Sequence, residues 1–291
     1  MNSCERNNDR EAMSNLVPLY LKEFSVGNVH SKFNNGLNIL IEEYLIYIGR
    51  CGTPVAAFGL KIADETLQQL LNLVKIGDLV VNKRGKFIFY SDSGVITVCY
   101  EELAEIDVRL PGVTCSVKAI PDSLLYQSLA VIEFEQFIGL ELDEKTAEYV
   151  GLLVHCDKEE RTVNSQIINF FTGRGQGLTP SGDDILLGFT LAIMPFGQFN
   201  AWKKALAMEV TDDKTTLISV AYLRALLAGY ASEQFIRLVK LMDSTERHAI
   251  ATAIDEARSF GHTSGNDTLF GFFLGLQYLI KPGKEQCRKP I

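Results

Sequence analysis

The sequence lacks both a long apolar segment and an excess of positive charge. Its longest apolar runs, 185–197 and 269–280, fall short of the roughly 18 residues that a membrane-spanning helix needs. The net charge of -8 at pH 7 disfavours polyanionic partners, so we expect no binding to nucleic acid or to an acidic membrane. Residues 1–15 are polar with charges of both signs, unlike a targeting peptide, and predict a frayed N-terminus. These features favour a cytoplasmic protein.

Cysteine and histidine patterns that bind metals are also missing. The six cysteines form no CxxC pair, and none of the four histidines lies in an HExxH motif. Such spacing predicts neither a zinc site nor a disulfide framework. We therefore expect no metal site, and cysteines that are reduced and mostly buried.

The first part of the chain is typical of a β-rich domain, which we assign to residues 16–120. Short runs rich in β-branched and aromatic residues alternate with turn-forming Asn, Ser and Gly. One helix is predicted over residues 63–74, where acids precede leucines at helical spacing. The predicted strands are 37–42, 44–49, 55–60, 79–82, 86–90 and 95–100, and the last two form a hairpin.

The rest of the chain shows helical periodicity. We assign residues 121–160 to connecting helices and residues 161–291 to an all-α domain. The predicted fold class is α+β, with a β-rich N-terminal domain followed by an all-α C-terminal helical domain that contains a duplicated loop-helix motif. The predicted helices are 121–137, 143–156, 162–172, 182–194, 199–210, 215–230, 232–242, 244–259 and 265–280.

The duplicated motif is the most informative feature of the helical half. GLTPSGDDILLG begins at Gly177, and GHTSGNDTLFG begins at Gly261. When Pro180 is skipped, Gly, Thr, Ser, Gly, Asp, Leu and Gly recur at matching positions, and a matching Phe and Leu follow. This match indicates two equivalent elements of a duplicated or pseudo-symmetric helix bundle.

One interpretation of the motif is purely structural. Ser181 and Asp184, like Ser264 and Asp267, have the spacing of a capping box, in which each side chain bonds a backbone amide of the same helix. Such a cap stabilises a helix by about 1 kcal/mol. Glycines further along both helices would let neighbouring helices approach closely.

The other interpretation is a ligand site, because a cap requires neither the flanking glycines nor a second polar residue beside the acid. Glycines at a helix N-terminus expose amides that bind anions, and hydroxyls and an arginine suit phosphate or carboxylate oxygens. The loop is neither a Walker A motif nor a GxGxxG turn, so a classical nucleotide site is not predicted. The predicted substrate-binding and phosphate-binding residues are Arg174, Gly175, Gly177, Thr179, Ser181, Gly182, Asp183, Thr263, Ser264, Gly265 and Asn266.

Asp184, Asp267 and His262 are the predicted catalytic residues. Carboxylates suit amide or ureido N–H donors, or Mg²⁺ held with a phosphate, so we predict no cofactor and keep Mg²⁺ as the alternative. His262 suits proton transfer, and its alternative is an ordinary polar loop residue. Adjacent helical residues point about 100° apart, so one of Asp183 and Asp184 faces a ligand, and the sequence leaves open which one.

Three segments together resemble the AllH family over about residues 160–280. They are GRGQGLTPSGDDILLG, TTLISVAYLRALLAGY and GHTSGNDTLFGFFLGLQYL, in that order. The resemblance implies a subunit of oxamate carbamoyltransferase that works beside an FdrA-like (AllF) subunit and an AllG-like subunit. It also implies phosphorolysis of oxalurate to oxamate and carbamoyl phosphate, in anaerobic allantoin (purine) breakdown. It does not settle which subunit performs the chemistry.

Three functions are therefore open at the level of sequence. The first is a catalytic or co-catalytic subunit with its site between the two motifs. The second is a non-catalytic assembly subunit, in which the motifs cap and pack helices. The third is a stand-alone Mg²⁺-dependent hydrolase.

Overall fold

A computed structural model describes residues 10–22 and 24–281 and confirms the α+β fold class. Two compact units divide the chain. The β unit contains the described residues up to Arg109 together with Tyr230–Glu233, and the helical unit contains Leu110–Gly229 and the residues from Gln234 onwards. The helical unit thus begins earlier than the predicted boundary at residue 120, and a four-residue segment of the C-terminal half belongs to the β unit.

The β unit is built on a sheet of nine strands in the order β8-β7-β6-β2-β3-β4-β5-β1-β9. All neighbouring strands are antiparallel except the pairs β4–β5 and β1–β9. The strands are β1 (Ala12–Ser14), β2 (Phe24–Phe33), β3 (Gly36–Ile41), β4 (Tyr44–Arg50), β5 (Gly59–Ile62), β6 (Leu79–Lys83), β7 (Lys86–Ser91), β8 (Gly94–Cys99) and β9 (Ala104–Ile106).

Two helices accompany this sheet, α1 (Val17–Tyr20) and α2 (Asp64–Leu73). Leu67 and Leu70 of α2 are buried in one apolar cluster with strand residues such as Ile39, Ile48 and Phe87. Burial of these side chains is the main stabilising contribution to the unit, because each removes an apolar surface from water. The predicted helix and the predicted hairpin of β7 and β8 are confirmed.

Three expectations for the β unit were wrong or incomplete. Residues 12–14 are not frayed, because β1 pairs with both β5 and β9, whereas residues 1–9 lie outside the described part. The ten-residue strand β2 was not predicted. Residues 55–58 are not a strand, because the amides of Val55 and Ala57 bond the side chains of Glu233 and Ser232 instead of a neighbouring strand.

The cysteine prediction also needs correction. Cys99 is exposed, and Cys51, Cys115 and Cys156 are half-buried, so none of the four described cysteines is fully buried. Cys4 and Cys287 lie outside the described residues.

The helical unit contains the elements predicted from periodicity, with one exception. A single helix over 121–137 was wrong, because the Ser123 hydroxyl accepts from the Tyr126 amide and caps a new helix there. The α-helices are α3 (Leu124–Ala130), α4 (Glu144–His155), α5 (Arg161–Phe171), α6 (Ser181–Ile193), α7 (Asn200–Glu209), α8 (Leu217–Leu227), α9 (Glu233–Lys240), α10 (Arg247–Arg258) and α11 (Ser264–Leu279); short 3₁₀ turns cover Val117–Asp122, Phe134–Gln136 and Met194–Phe196.

Helices α6 and α11, which begin with the two motif copies, pack directly against each other through glycine. A Cβ atom on Gly188 would lie 1.9 Å from the Thr268 carbonyl oxygen, and one on Gly271 would lie 2.1 Å from the Ile185 carbonyl oxygen. In the motif alignment, Gly188 corresponds to Gly271 and Ile185 to Thr268. The two contacts are therefore equivalent, which supports the predicted pseudo-symmetry.

Across the described parts of the chain, no helix is both long enough and apolar enough to cross a membrane.

Gly188→Ala should destabilise the protein because its methyl group would overlap the backbone of α11. We expect a loss of about 3 kcal/mol in the free energy of unfolding, measured by urea titration. The matched control is Gly151→Ala in α4, where nothing lies within 4 Å of the added Cβ. Alanine there should be neutral or stabilise by about 0.5–1 kcal/mol. Equal stability of the two variants would contradict the close α6–α11 contact.

Candidate functional site

The first turns of α6 and α11 lie side by side in the helical unit. The Thr179 and Ser264 hydroxyl oxygens are 2.6 Å apart, so the loop before α6 touches the first residue of α11. Every residue of α6 is buried, and so are the first nine residues of α11. The polar residues of both motifs therefore begin in exposed loops and end in a buried cluster.

The capping-box interpretation is wrong for both copies. Pro180 and Thr263 occupy the N-cap positions, and neither helix has a side-chain cap. The serines, which are the first helical residues, act across the helix pair instead. The hydroxyl of Ser264 lowers the pKa of Asp184, and the hydroxyl of Ser181 lowers the pKa of Asp267. Each serine thus serves the acid of the other copy.

Asp183 has a structural role. Its Oδ1 accepts from the Gly173 amide at 2.8 Å, and its Oδ2 accepts from the Thr215 hydroxyl. Asn266, the corresponding residue in α11, accepts from the Arg258 Nε at 3.0 Å. Both side chains fasten the segments around the helix N-termini, and both oxygens of Asp183 have partners within the chain. The binding role of Asp183 stays a prediction.

Asp184 and Asp267 each keep one oxygen without a partner. Asp184 is 4% exposed and Asp267 is fully buried, yet the Oδ2 atom of each has no hydrogen-bond partner among the described residues. Leaving such a group unpaired costs about 1–3 kcal/mol. Because this unpaired oxygen destabilises the fold and occurs in both equivalent acids, it indicates a functional site rather than a stabilising contact.

Burial strongly perturbs Asp184. The pKa of this carboxyl group is raised well above its ordinary value, chiefly by burial, and the negative charges of Asp267 and Asp183 contribute to the rise. Hydrogen bonds to Ser264 and Thr179 oppose it. The protonated form of Asp184 is therefore favoured, and in that form the side chain can donate a hydrogen bond or a proton.

Asp267 has a different environment, although its position is equivalent. Burial raises its pKa, and this rise is opposed first by the backbone amide of Gly139 and then by the hydroxyls of Ser181 and Thr263. The Gly139 nitrogen lies 2.9 Å from Asp267 Oδ1. Sequence reasoning missed Gly139, because it lies 128 residues from Asp267 in an exposed loop with no recognisable motif.

The glycine-rich loop before α6 is exposed and offers donors. Gly173, Gly175 and Gly177 all have positive φ angles, which only glycine adopts readily. The amides of residues 175–179 donate to no other group among the described residues. The Arg174 guanidinium lies 4.0 Å from the centre of the Phe170 ring and donates through Nε to the Phe170 carbonyl. Arg174 is exposed, and its remaining N–H groups have no hydrogen-bond partner among the described residues, so this loop can bind an anion.

Gly182 and Gly265, also predicted to expose amides, are already engaged. Their nitrogens bond the Arg174 and Phe260 carbonyls at 2.8 and 2.9 Å. A Cβ atom on either would lie 2.0 Å from a carbonyl oxygen of the preceding helix. In this structure, these two glycines permit close packing.

The predicted catalytic residues are only partly brought together. Asp184 and Asp267 share the buried cluster, whereas His262 is exposed and forms no hydrogen bond within the described residues. Its catalytic role stays a prediction. No group of three or more His, Cys, Asp or Glu side chains is placed to hold a metal ion anywhere in residues 10–22 and 24–281.

Asp184→Asn should change how stability depends on pH. Because burial raises the pKa of Asp184, its protonated form stabilises the folded state below the ordinary pKa of 3.8, and this contribution is lost as pH rises through the folded-state value. Asparagine cannot ionise, so the variant should gain unfolding free energy relative to the wild type as pH rises. The gain is about 1.4 kcal/mol for each unit by which the pKa is raised.

Urea titrations at several pH values would measure this effect, and Asp143→Asn is the control of opposite sign. Asp143 caps α4 by accepting from the Thr146 amide at 2.7 Å, and that bond lowers its pKa. Asp143 therefore stabilises above pH 3.8, and its contribution is lost as pH falls. The two variants should diverge with pH, and parallel curves would contradict the burial of an ionisable Asp184.

Comparison with known proteins agrees with the resemblance seen in the motifs. No solved structure matches the chain significantly. Residues 171–276 match the family model described as "Oxamate carbamoyltransferase subunit AllH", and this description, which names one subunit, implies partner subunits. The matched segment contains both motif copies and the first thirteen residues of α11. Over residues 171–276 the chain is therefore similar to the AllH family, as the motifs predicted.

Proposed function

We propose that this protein is a subunit of an oxamate carbamoyltransferase and that its reaction centre lies at the paired N-termini of α6 and α11. The observation that supports this most strongly is the pair of buried acids, Asp184 and Asp267, each with one unpaired oxygen. The family description supports the subunit assignment. The proposed partners are FdrA-like (AllF) and AllG-like subunits, and the proposed setting is anaerobic allantoin breakdown in the cytoplasm.

The proposed reaction is phosphorolysis of oxalurate. An oxygen of HPO₄²⁻ attacks the ureido carbonyl carbon, so that a C–O bond forms and the bond from this carbon to the oxamate nitrogen breaks. The phosphate proton ends on that nitrogen, which gives oxamate and carbamoyl phosphate without a change in total charge. Catalysis requires positioning of two anions, stabilisation of a tetrahedral oxyanion and protonation of the leaving nitrogen.

The two parts of the site suit these tasks. The loop amides of residues 175–179 and the Arg174 guanidinium would bind carboxylate or phosphate oxygens. A protonated Asp184 would donate to the oxyanion or to the leaving nitrogen. The unpaired oxygen of Asp267 would accept an N–H of the ureido group, and such an acceptor is otherwise rare in a buried site.

The test is phosphate-dependent formation of carbamoyl phosphate from oxalurate. The chain would be assayed alone and with its two partners, as wild type and as Asp184→Asn and Asp267→Asn. We expect activity in the complete complex, and a kcat lower by at least about 100-fold in each variant, because proton transfer and oxyanion stabilisation would be impaired. Gel filtration would confirm that each variant still assembles.

Two matched variants define the specificity of that result. Asp64→Asn replaces an exposed aspartate in the first turn of α2, in the β unit, and should leave kcat within about twofold of the wild type. His262→Gln tests the predicted proton transfer by the exposed histidine.

Full activity of assembled Asp184→Asn/Asp267→Asn would show that the protein is a non-catalytic assembly subunit. Mg²⁺-dependent hydrolysis by the chain alone, without carbamoyl phosphate, would instead support the hydrolase.

A further inference from the structure

The loop that contains Gly139 is the one segment outside both motifs that is seen to bond the Asp184–Asp267 pair in the described part of the chain. The backbone amide of Gly139 donates to Asp267 Oδ1 at 2.9 Å. Phe137, two residues before Gly139, also contacts the helical unit, because its ring centre lies 4.6 Å from the Arg258 guanidinium. Arg258 in turn donates to Asn266, the neighbour of Asp267.

A side chain at position 139 would crowd hydroxyl groups of both motif copies. A Cβ atom there would lie 2.4 Å from the Ser181 hydroxyl oxygen and 2.8 Å from the Thr263 hydroxyl oxygen. Because Ser181 belongs to the first motif copy and Thr263 to the second, the glycine lies against both copies at once. A larger residue would therefore have to displace these two hydroxyls or the Gly139 amide itself.

This amide makes the two acids chemically unequal. A backbone N–H can only donate, so Asp267 Oδ1 accepts whether or not the carboxyl group is protonated, and this bond is stronger to the ionised carboxylate than to the neutral acid. The groups that bond Asp184 are the hydroxyls of Ser264 and Thr179, which can either donate or accept. They therefore tolerate Asp184 in its protonated form.

We propose that Gly139 is a positioning residue: its amide keeps Asp267 as the hydrogen-bond acceptor of the site and leaves Asp184 as the acid that holds the proton. The proposal builds on the proposed function, because it assigns roles within the same reaction centre. It predicts that Asp267 ionises while Asp184 is still protonated.

The charged groups and hydrogen bonds around the two acids agree with ionisation of Asp267 before Asp184. The charged groups that act on Asp184 are Asp267 and Asp183, both acidic, whereas the bond from Gly139 favours the ionised form of Asp267. The nearest cation on α10, Arg258, is engaged by Asn266 and the Phe137 ring. Titration of Asp267 should therefore precede that of Asp184 as pH rises.

The experiment is a pH titration of the full chain labelled with ¹⁵N-glycine, followed by NMR. The Gly139 amide should shift as its acceptor Asp267 ionises, and this shift should disappear in Asp267→Asn. The Gly173 amide, which donates to Asp183, is the matched control and should titrate unchanged in that variant. The signal that is lost in Gly139→Ala identifies the Gly139 amide. If this variant does not fold, additional ¹³C labelling of isoleucine carbonyl carbons selects the glycine amides that follow isoleucine, which are those of Gly49, Gly77 and Gly139.

Asp184→Asn then determines the order of ionisation. If Asp184 is neutral while Asp267 titrates, the variant should move the Gly139 midpoint by less than about half a pH unit, because no charge is removed. A fall of a unit or more would show that Asp184 ionises first and would overturn the proposal. A Gly139 amide that is indifferent to Asp267→Asn would overturn it as well.

The activity of the complex provides a second, independent test of the proposal. Gly139→Ala should lower kcat more than it changes KM and should move the acidic limb of the pH profile to higher pH, whereas Gly112→Ala, where an added Cβ meets nothing, should do neither. A pH profile that does not move in an active Gly139→Ala complex would contradict the proposal. An inactive wild-type complex with the expected NMR titrations would reject the proposed function and leave the positioning role standing.

Discussion

The contact between α6 and α11 is the constraint on which the candidate site depends. Gly188 and Gly271 allow the two backbones to touch, so the helices run together over their buried length. Only at such a short separation can Ser181 and Ser264 each reach the acid of the opposite helix. A wider contact filled with larger side chains would separate the two acids and return each serine to its own helix, where a conventional cap would form.

The same contact forces carboxyl groups out of water, and this cost explains their chemistry. An ionised carboxylate in a dry interior is unfavourable, so such a group holds its proton to higher pH or recruits donors. Burial raises the pKa of both Asp183 and Asp184, but Asp183 accepts from a backbone amide and a hydroxyl through its two oxygens, whereas Asp184 has hydroxyl neighbours alone among the described hydrogen-bond partners. Neighbouring residues in one helix turn thus have different roles because they face different surroundings.

The sequence predicted those features that depend on local pattern. Alternating apolar residues located most of the strands, helical spacing located α4 to α11, and the repeated motif identified the pair of helices that form the site. What it could not supply depends on contacts between distant segments. The capping box failed because its spacing does not reveal that a second helix lies within reach, and β2 was missed because its pairing partners, rather than its own residues, make it a strand.

Duplication alone gives two equal acids, and a reaction that moves a proton needs two unequal ones. The helical unit resolves this through a segment that is not duplicated. The loop at Gly139 supplies one amide to Asp267, and no equivalent amide is seen on Asp184 among the residues that the structure describes. Because the amide bonds the ionised carboxylate more strongly than the neutral acid, it opposes the rise in the pKa of Asp267 without adding a charge. A symmetric scaffold can thereby acquire an acid and a base from the same residue type.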